Sequence, residues 1–205
     1  VKSLISVDPA ANSVKENYKL LIGSIIPRPI AFVTTKTESG EINGAPFSYF
    51  NIVSANPPLL SLAVQRTGTK QKDTARNAIQ FKEFVVHIVD ESNVQKINET
   101  AAALPPDESE IERACLTLEK SEKISVPGVK EARIRMECVL EHALELGGEE
   151  SPSTDLLIGR IVFFHFDERV YKDGKIDYSE LQAVSRLAGA DYAKIGDIFS
   201  LERPR

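Results

Sequence analysis

Cysteine is scarce in this chain: Cys115 and Cys138 are the only two thiols in 205 residues, and neither belongs to a Cys-x-x-Cys pair. Two thiols cannot build the disulfide framework of a small secreted domain, so a reducing, cytoplasmic compartment is expected. Basic charge is also short. Thirty acids against 25 bases leave a net charge of -5, which argues against a protein that neutralises a nucleic-acid backbone. No apolar run approaches the ~20 residues that cross a bilayer, and Val1 to Asp8 lacks the basic-then-apolar layout of a secretory signal. Neither nucleic acid nor a membrane is expected as a partner.

Several short motifs are missing too. The chain has no G-x-G-x-x-G after a strand, no G-x-x-x-x-G-K-[ST] and no G-x-S-x-G, which removes a Rossmann dinucleotide site, a P-loop and a hydrolase elbow. Histidine occurs three times, as His87, His142 and His165, each inside an expected strand. Cys138 and His142 are four residues apart, a spacing that converges only on a helix; on a strand rising ~3.3 Å per residue they lie about 13 Å apart, so no metal is expected. His87 and His165 sit in apolar surroundings, where a hydrogen-bonded histidine within a sheet is the better reading than a catalytic base. No side-chain acid or base catalyst emerges.

What is present is an ordinary globular composition, 42% hydrophobic and 27% charged, and a length that suits one domain over residues 1–205. No repeat is visible, and the polar run Glu149 to Thr154 reads as a loop. Ile30 to Thr35 and Glu41 to Gly44 read as strand, turn, strand. Leu59 to Gln65 and Glu83 to Asp90 are short apolar runs that suit buried strands. From Ala132 to Leu146 the apolar residues Ile134, Met136, Cys138, Leu140, Leu144 and Leu146 fall on even numbers, while Arg133, Arg135, Glu137, Glu141 and Glu145 fall on odd ones. Period two over that length predicts a long, half-buried strand. Leu156 to Phe166 is a further strand, and Asp173-Gly174 marks a hairpin turn that needs positive φ. Helices are expected over Thr74 to Phe81, Ser92 to Leu104, and Asp107 to Cys115 behind Pro105-Pro106. Many strands without regular strand-helix alternation predict a mainly antiparallel β architecture, a barrel with a few peripheral α-helices.

Three segments in the first 80 residues carry loop chemistry. In the first, Pro27 and Pro29 hold Arg28 in an extended, stiff backbone from which its guanidinium would project; the plainer alternative is a surface arginine in a proline-stiffened turn. The second runs Asn43-Gly44-Ala45-Pro46-Phe47-Ser48-Tyr49-Phe50-Asn51. Its small residues would let a flat ligand approach the main chain, with Ser48 and Asn51 as adaptable polar partners. Equally, Phe47, Tyr49 and Phe50 could plug the core. The third, Gln65 to Asn77, runs from a loop into a helix whose start, at Lys72, Asp73 and Thr74, would be an anion site with Arg66, Lys70 and Lys72 nearby. Asp73 is expected to cap the helix rather than touch an anion. An ordinary capped helix with solvated lysines is the alternative. A phosphate cradle beside a flat-ligand loop on a β scaffold is what flavin mononucleotide (FMN) requires.

These segments also carry a resemblance. Gly-Ser-Ile-Ile-Pro-Arg-Pro-Ile-Ala-Phe-Val-Thr-Thr (Gly23 to Thr35), Asn43 to Asn51, Asn-Pro-Pro-Leu (Asn56 to Leu59), Lys-Asp-Thr-x-x-Asn (Lys72 to Asn77) and Glu-Phe-Val-Val (Glu83 to Val86) occur in this order. Together they resemble the flavin reductase-like family with its FMN-binding split barrel, an antiparallel Greek-key fold. The resemblance implies a homodimer binding FMN near the subunit interface, with the Asn43 to Asn51 loop along the ring and the Arg66 to Thr74 region around the phosphate. The cofactor contacts it implies are Arg28, Asn43, Ala45, Pro46, Phe47, Ser48, Asn51, Gln65, Arg66, Lys72, Asp73 and Thr74. Arg186 to Tyr192 resembles a C-terminal stretch that approaches the site in relatives. One departure is His87, where the pattern leads one to expect Asn. The implied activity is hydride transfer from NAD(P)H to FMN, with a monooxygenase component as a partner for the reduced flavin. A flavin-holding electron carrier that oxidises no nicotinamide, and a β-barrel module for a different small ligand, remain as alternatives.

Overall fold

The computed structural model describes residues 3–102, 109–148 and 150–204. A 3-10 turn (Pro9–Ala11) leads into helix α1 (Val14–Ser24), followed by strands β1 (Arg28–Pro29), β2 (Ala31–Lys36), β3 (Ile42–Phe47), β4 (Phe50–Ala55) and β5 (Pro58–Gln65). Helix α2 (Asp73–Phe81), strand β6 (Glu83–Ile88) and two short helices, α3 (Val94–Glu99) and α4 (Glu110–Arg113), come next. Two-residue strands β7 (Leu118–Glu119) and β8 (Gly128–Val129) precede the two longest, β9 (Ile134–Leu146) and β10 (Thr154–Phe166). The chain closes with the hairpin β11 (Tyr171–Lys172) and β12 (Lys175–Ile176), helix α5 (Tyr178–Leu181), β13 (Val184–Arg186) and β14 (Tyr192–Lys194).

Seven strands form one antiparallel sheet in the order β3-β2-β6-β9-β10-β5-β4, and β1-β13-β14 make a second, small sheet. The central strands β2 and β6 are buried on both faces, so their side chains feed two cores. Val33, Val86, Phe84, Leu62 and Leu157 fill one side; Phe32, Ile97, Ile111 and Val129 fill the other, under α3 and α4. Gly159 of β10 is set by the first core: a Cβ there would lie 2.4 Å from Cζ of Phe84. The sheet curls without closing, because β3 and β4 end as unjoined edges.

The strand expectations hold at Ala31–Lys36, Pro58–Gln65, Glu83–Ile88, Ile134–Leu146 and Thr154–Phe166. The hairpin turn does too, with Asp173 at φ 50° and Gly174 at φ 76°. Four readings need correction. The stretch Asn43 to Asn51 is not a loop: β3 and β4 take up all of it except Ser48 and Tyr49. Pro46 is tolerated because β3 is an edge strand, with β2 on one side only. Helix α1 was not expected, although Ser13 and Glu16 form a capping box at its start. Helix α3 is shorter than Ser92 to Leu104, and α4 shorter than Asp107 to Cys115; Leu104, Pro105, Pro106 and Asp107 lie outside the described residues, as does Glu149. Finally, the period-two reading of β9 fails at both ends of its logic. Glu137 is fully buried, while Leu144 and Leu146 are 50% and 43% exposed. Strand β6 pairs only with Arg135 to Val139, so the far half of β9 has β10 as its single neighbour, and a register shift opposite Ile158 and Gly159 changes its phase.

Candidate functional site

Two adjoining clefts lie where the β3–β4 turn, α1, the end of β5, the start of α2 and the C-terminal segment meet. The first, about 150 Å³, is bounded by Tyr18 and Ile22 of α1, Pro46, Phe47 and Ser48, Ala63 and Gln65 of β5, Lys72, and Arg186, Leu187 and Gly189. The second, about 330 Å³, is bounded by Leu21, Ile25, Pro27, Pro29, Phe50, Asn51 and Ser61. Arg28, Ser48 and Tyr49 form the wall common to both. Among the described residues no carboxylate lines either cleft, whereas Arg28, Lys72 and Arg186 all line the first. In a chain of net charge -5, this is a local reversal of sign, and it favours an anionic ligand.

Of the twelve expected contacts, Arg28, Pro46, Phe47, Ser48, Gln65 and Lys72 line the first cleft, and Asn51 the second. Asn43, Ala45, Arg66, Asp73 and Thr74 line neither. Thr74 Oγ1 donates to Asn43 Oδ1 at 3.1 Å, tying α2 to β3, and Ala45 packs against the first core. Arg66 is held by Asp155 at 3.0 and 2.6 Å and by Glu145 at 2.8 Å. Those hydrogen bonds, first to Asp155 and then to Glu145, hold its guanidinium further into the protonated form, so its charge is already answered within the fold. Asp73 does not cap the helix. Lys72 is the N-cap, without a side-chain cap bond, and Asp73 sits one position inside, paired to Arg76 at 2.6 Å.

Arg28 differs most from its expected projection. It is 6% exposed and folds back, Nη1 donating to the carbonyls of Ile22 (2.7 Å) and Ile25 (2.5 Å), and Nη2 to that of Leu187 (2.7 Å). It therefore closes the C-terminal end of α1, where carbonyls lack helical partners, and fastens the C-terminal segment to it. Tyr18 and Ile22, which sequence reasoning did not find, reach the cleft because α1 exists; the Ser13–Glu16 capping box was the available signal. Arg186 faces Arg28 directly across the β1–β13 pair, its guanidinium 4.5 Å above the Tyr192 ring. Burial raises the Tyr49 hydroxyl above its ordinary pKa; nearby Tyr18 adds to this and Arg28 opposes it.

Elsewhere the titratable groups serve the fold. His87 joins Phe32 O (2.9 Å, Nδ1) to the N–H of Val129 (3.0 Å, Nε2), which places its proton on Nδ1. Burial pushes its pKa down to about 3, against the backbone bond to Phe32 that raises it. His165 does not stand in apolar surroundings: Nε2 lies 2.6 Å from the buried Glu137 carboxylate. Glu137 also accepts from the N–H groups of Glu122 (2.6 Å) and Lys123 (2.7 Å). Cys138 is buried, and its thiol pKa is pushed up, by desolvation first and by Glu137 second. Among the described residues no cluster of three or more His, Cys, Asp or Glu side chains could hold a metal ion, and no helix is long and apolar enough to cross a membrane.

Comparison with known proteins gives four findings. The flavin reductase like domain matches residues 22–180. An uncharacterised Bacillus subtilis protein, YwrF, is 55% identical over 195 residues, covering 94% of this chain and 95% of its own. Among solved structures, nitrilotriacetate monooxygenase component B from Bacillus cereus is 62% identical, with a TM-score of 0.96 and coverage of 98% and 100%. A split-barrel-domain protein from Shewanella frigidimarina, at 23% identity, 95% and 96% coverage and a TM-score of 0.82, shares the fold. The open seven-stranded sheet is thus a split barrel.

Proposed function

Because the chain belongs to the flavin reductase-like family, we propose that it is an NAD(P)H-dependent FMN reductase that binds FMN across the cationic cleft. Membership makes it a flavin-handling oxidoreductase; the choice of FMN and of a nicotinamide donor is our finer reading. The observation that carries it is the meeting of Arg28, Ser48, Gln65 and Lys72, distant in sequence, around one cleft that no carboxylate among the described residues lines. The residues present fit the group. Lys72 is exposed at the start of α2, where unpaired N–H groups and the helix dipole favour a phosphate. Phe47 offers an aromatic surface, and two buried donors, Arg28 Nε and Tyr49 Oη, have no acceptor among the described residues.

When bound, FMN supplies the ring that accepts hydride, so the protein needs no acid or base of its own. The chain's work is to hold the phosphate at Lys72 and the first turn of α2, and to fix the ring's orientation through the Phe47–Tyr49 turn. The second cleft, walled by Pro27, Pro29 and Phe50, is apolar enough to receive a nicotinamide. Leu21 and Ile25 beside it, at 52% and 60% exposed, and Ile52 and Val53 of edge strand β4, at 82% and 50%, support a homodimer that covers this face. The 62% identical monooxygenase component B supports a monooxygenase component as recipient of the reduced flavin. A cytoplasmic location agrees with two free cysteines.

Anaerobic stopped-flow reduction with NADH and with NADPH, with and without added FMN, tests the reading. Rapid flavin bleaching by either nicotinamide is expected. FMN held without nicotinamide oxidation would make the protein an electron carrier, and no FMN affinity would make it a binding module for another ligand.

A further inference from the structure

Away from the two clefts already described, a third of about 210 Å³ opens between the start of β9 and the end of β10, where Lys130, Arg133, Arg135 and His165 meet Glu119 and Asp167. Pro46 of the first cleft and His165 stand in one row across the sheet, Pro46–Phe32–His87–Arg135–His165. Four strand spacings of ~4.8 Å separate them by about 19 Å along the sheet, so the two are distinct places. Most charges in the third cleft are already answered. Glu119 is paired with Lys130 at 3.4 Å and Asp167 with Arg169 at 2.6 Å. Arg133 donates to the Glu180 carbonyl and lies 3.9 Å from the buried Asp90 carboxylate. Arg135 is left over. Its neighbours across the strand pairs are His87 and His165, and among the described residues no hydrogen bond or ion pair takes up its guanidinium. Its stem is fixed all the same, because a Cβ on Gly128 of β8 would lie 3.0 Å from Arg135 Cδ. Burial lowers its pKa against the pull of Glu119 and Glu137, as befits a cation that has lost water without gaining a partner.

His165 adds a second open group. Its Nε2–H donates to the Glu137 carboxylate at 2.6 Å, which leaves Nδ1 as the free ring nitrogen. The side chain is 20% exposed, and Nδ1 has no partner among the described residues and is not sealed from solvent. Around the ring stand Glu137, Arg135 and Arg133 from β9, Asp167 beyond β10, and Glu119 and Lys130 beside the β7–β8 pair. Each of the three carboxylates has donors of its own.

We propose that this third cleft binds the phosphate group of a small ligand, Arg135 donating to two of its oxygens and His165 Nδ1 meeting a third. A guanidinium presents paired N–H groups that match two oxygens of one phosphate. Beside it, Nδ1 accepts in the neutral ring and donates in the protonated one. Phosphate suits both states, because a second pKa of about 6 lets it offer either O–H or O⁻ near neutrality. Sulfate offers only O⁻. The site is independent of the FMN reading.

Isothermal titration calorimetry at neutral pH, with inorganic phosphate and with sulfate, tests this. The full chain is used in a Lys72→Ala background, which removes the anion site proposed at α2, and Arg135→Gln, Arg135→Lys and His165→Gln are added singly. Phosphate is expected to bind about threefold more tightly than sulfate, and Arg135→Gln to weaken it about tenfold. Arg135→Lys should recover part of that loss, since it keeps the charge without the paired donors. His165→Gln retains an N–H donor toward Glu137 and deletes Nδ1, so phosphate should still bind while its advantage over sulfate disappears. Arg135→Gln strands no partner, and its melting temperature without phosphate should match that of its parent. Phosphate affinity unchanged by Arg135→Gln, or no binding at millimolar phosphate, overturns the site. Sulfate bound as tightly as phosphate, or a preference that survives His165→Gln, overturns the part given to His165.

Discussion

On the proposed reading of the cleft as an FMN site, replacing Lys72 with alanine would isolate the phosphate's share of binding. The side chain makes no cap bond to α2. Its contact is the Phe47 ring, 5.9 Å from Nζ to the centroid, and none of the ion pairs among the described residues includes it. Its loss leaves no buried partner stranded, so folding stability should change by less than ~0.5 kcal/mol. A phosphate monoester carries about -1.5 to -2 charges at neutral pH. At 4 Å a unit pair is worth ~1 kcal/mol in water and ~4 kcal/mol at the effective dielectric of a protein surface. Lys72 is exposed, which places it near the lower figure once salt screening is included. About 1.5 kcal/mol, or roughly tenfold in FMN affinity, is the expected loss. Riboflavin has the same ring and no phosphate, and should lose less than about twofold. Flavin-fluorescence titrations at two salt concentrations provide the assay, and the FMN penalty should shrink at the higher one. Equal losses for FMN and riboflavin would refute the assignment of Lys72 to the phosphate.

Three further outcomes concern the scaffold. His87 titrates at about 3 in the folded protein against 6.5 for a free histidine, chiefly because it is buried. Its contribution is complete above the unfolded value, since below it the unfolded chain gains a proton that the folded one refuses. Urea midpoints should therefore fall as pH drops from 6.5 toward 3, and His87→Gln should flatten that slope; an unchanged slope would count against it. Burial alone would raise the Glu137 carboxyl, yet the hydrogen bonds from Glu122, His165 and Lys123 leave it below its ordinary value. Glu137→Ala strands those donors and should cost about 3 kcal/mol in urea unfolding, with a loss under ~1 kcal/mol contradicting the account. Gly159→Ala forces a Cβ to within 2.4 Å of Phe84 Cζ, and a thermal melt should show about 2 kcal/mol of destabilisation. An unaltered melting temperature would show that Phe84 can move aside.

The linear order of residues by itself determined several of the strands, because β-branched runs bounded by turn residues state a local preference. Ala31–Lys36, Pro58–Gln65 and Glu83–Ile88 lie where those runs do. Asp173-Gly174 likewise names its own turn, since positive φ is a property of the residues occupying it. Candidate cleft residues such as Pro46, Phe47, Ser48, Gln65 and Lys72 were legible as types. Their roles were not, because a role depends on which group from elsewhere in the chain arrives opposite. Arg66 is neutralised by Asp155, 89 positions away, and Arg28 is drawn inward by Leu187, 159 positions away. No local pattern encodes either meeting. Glu137 shows the same limit inside a strand: alternation assigns it to the outer face, but the covering segment around Glu122 and Lys123 turns that face into an interior and supplies the N–H groups its charge requires. Tertiary structure alone decided that Arg66 meets carboxylates while Arg28 meets only backbone carbonyls among the described residues. Electrostatic compensation is settled by distance in space, and a sequence gives only distance along the chain.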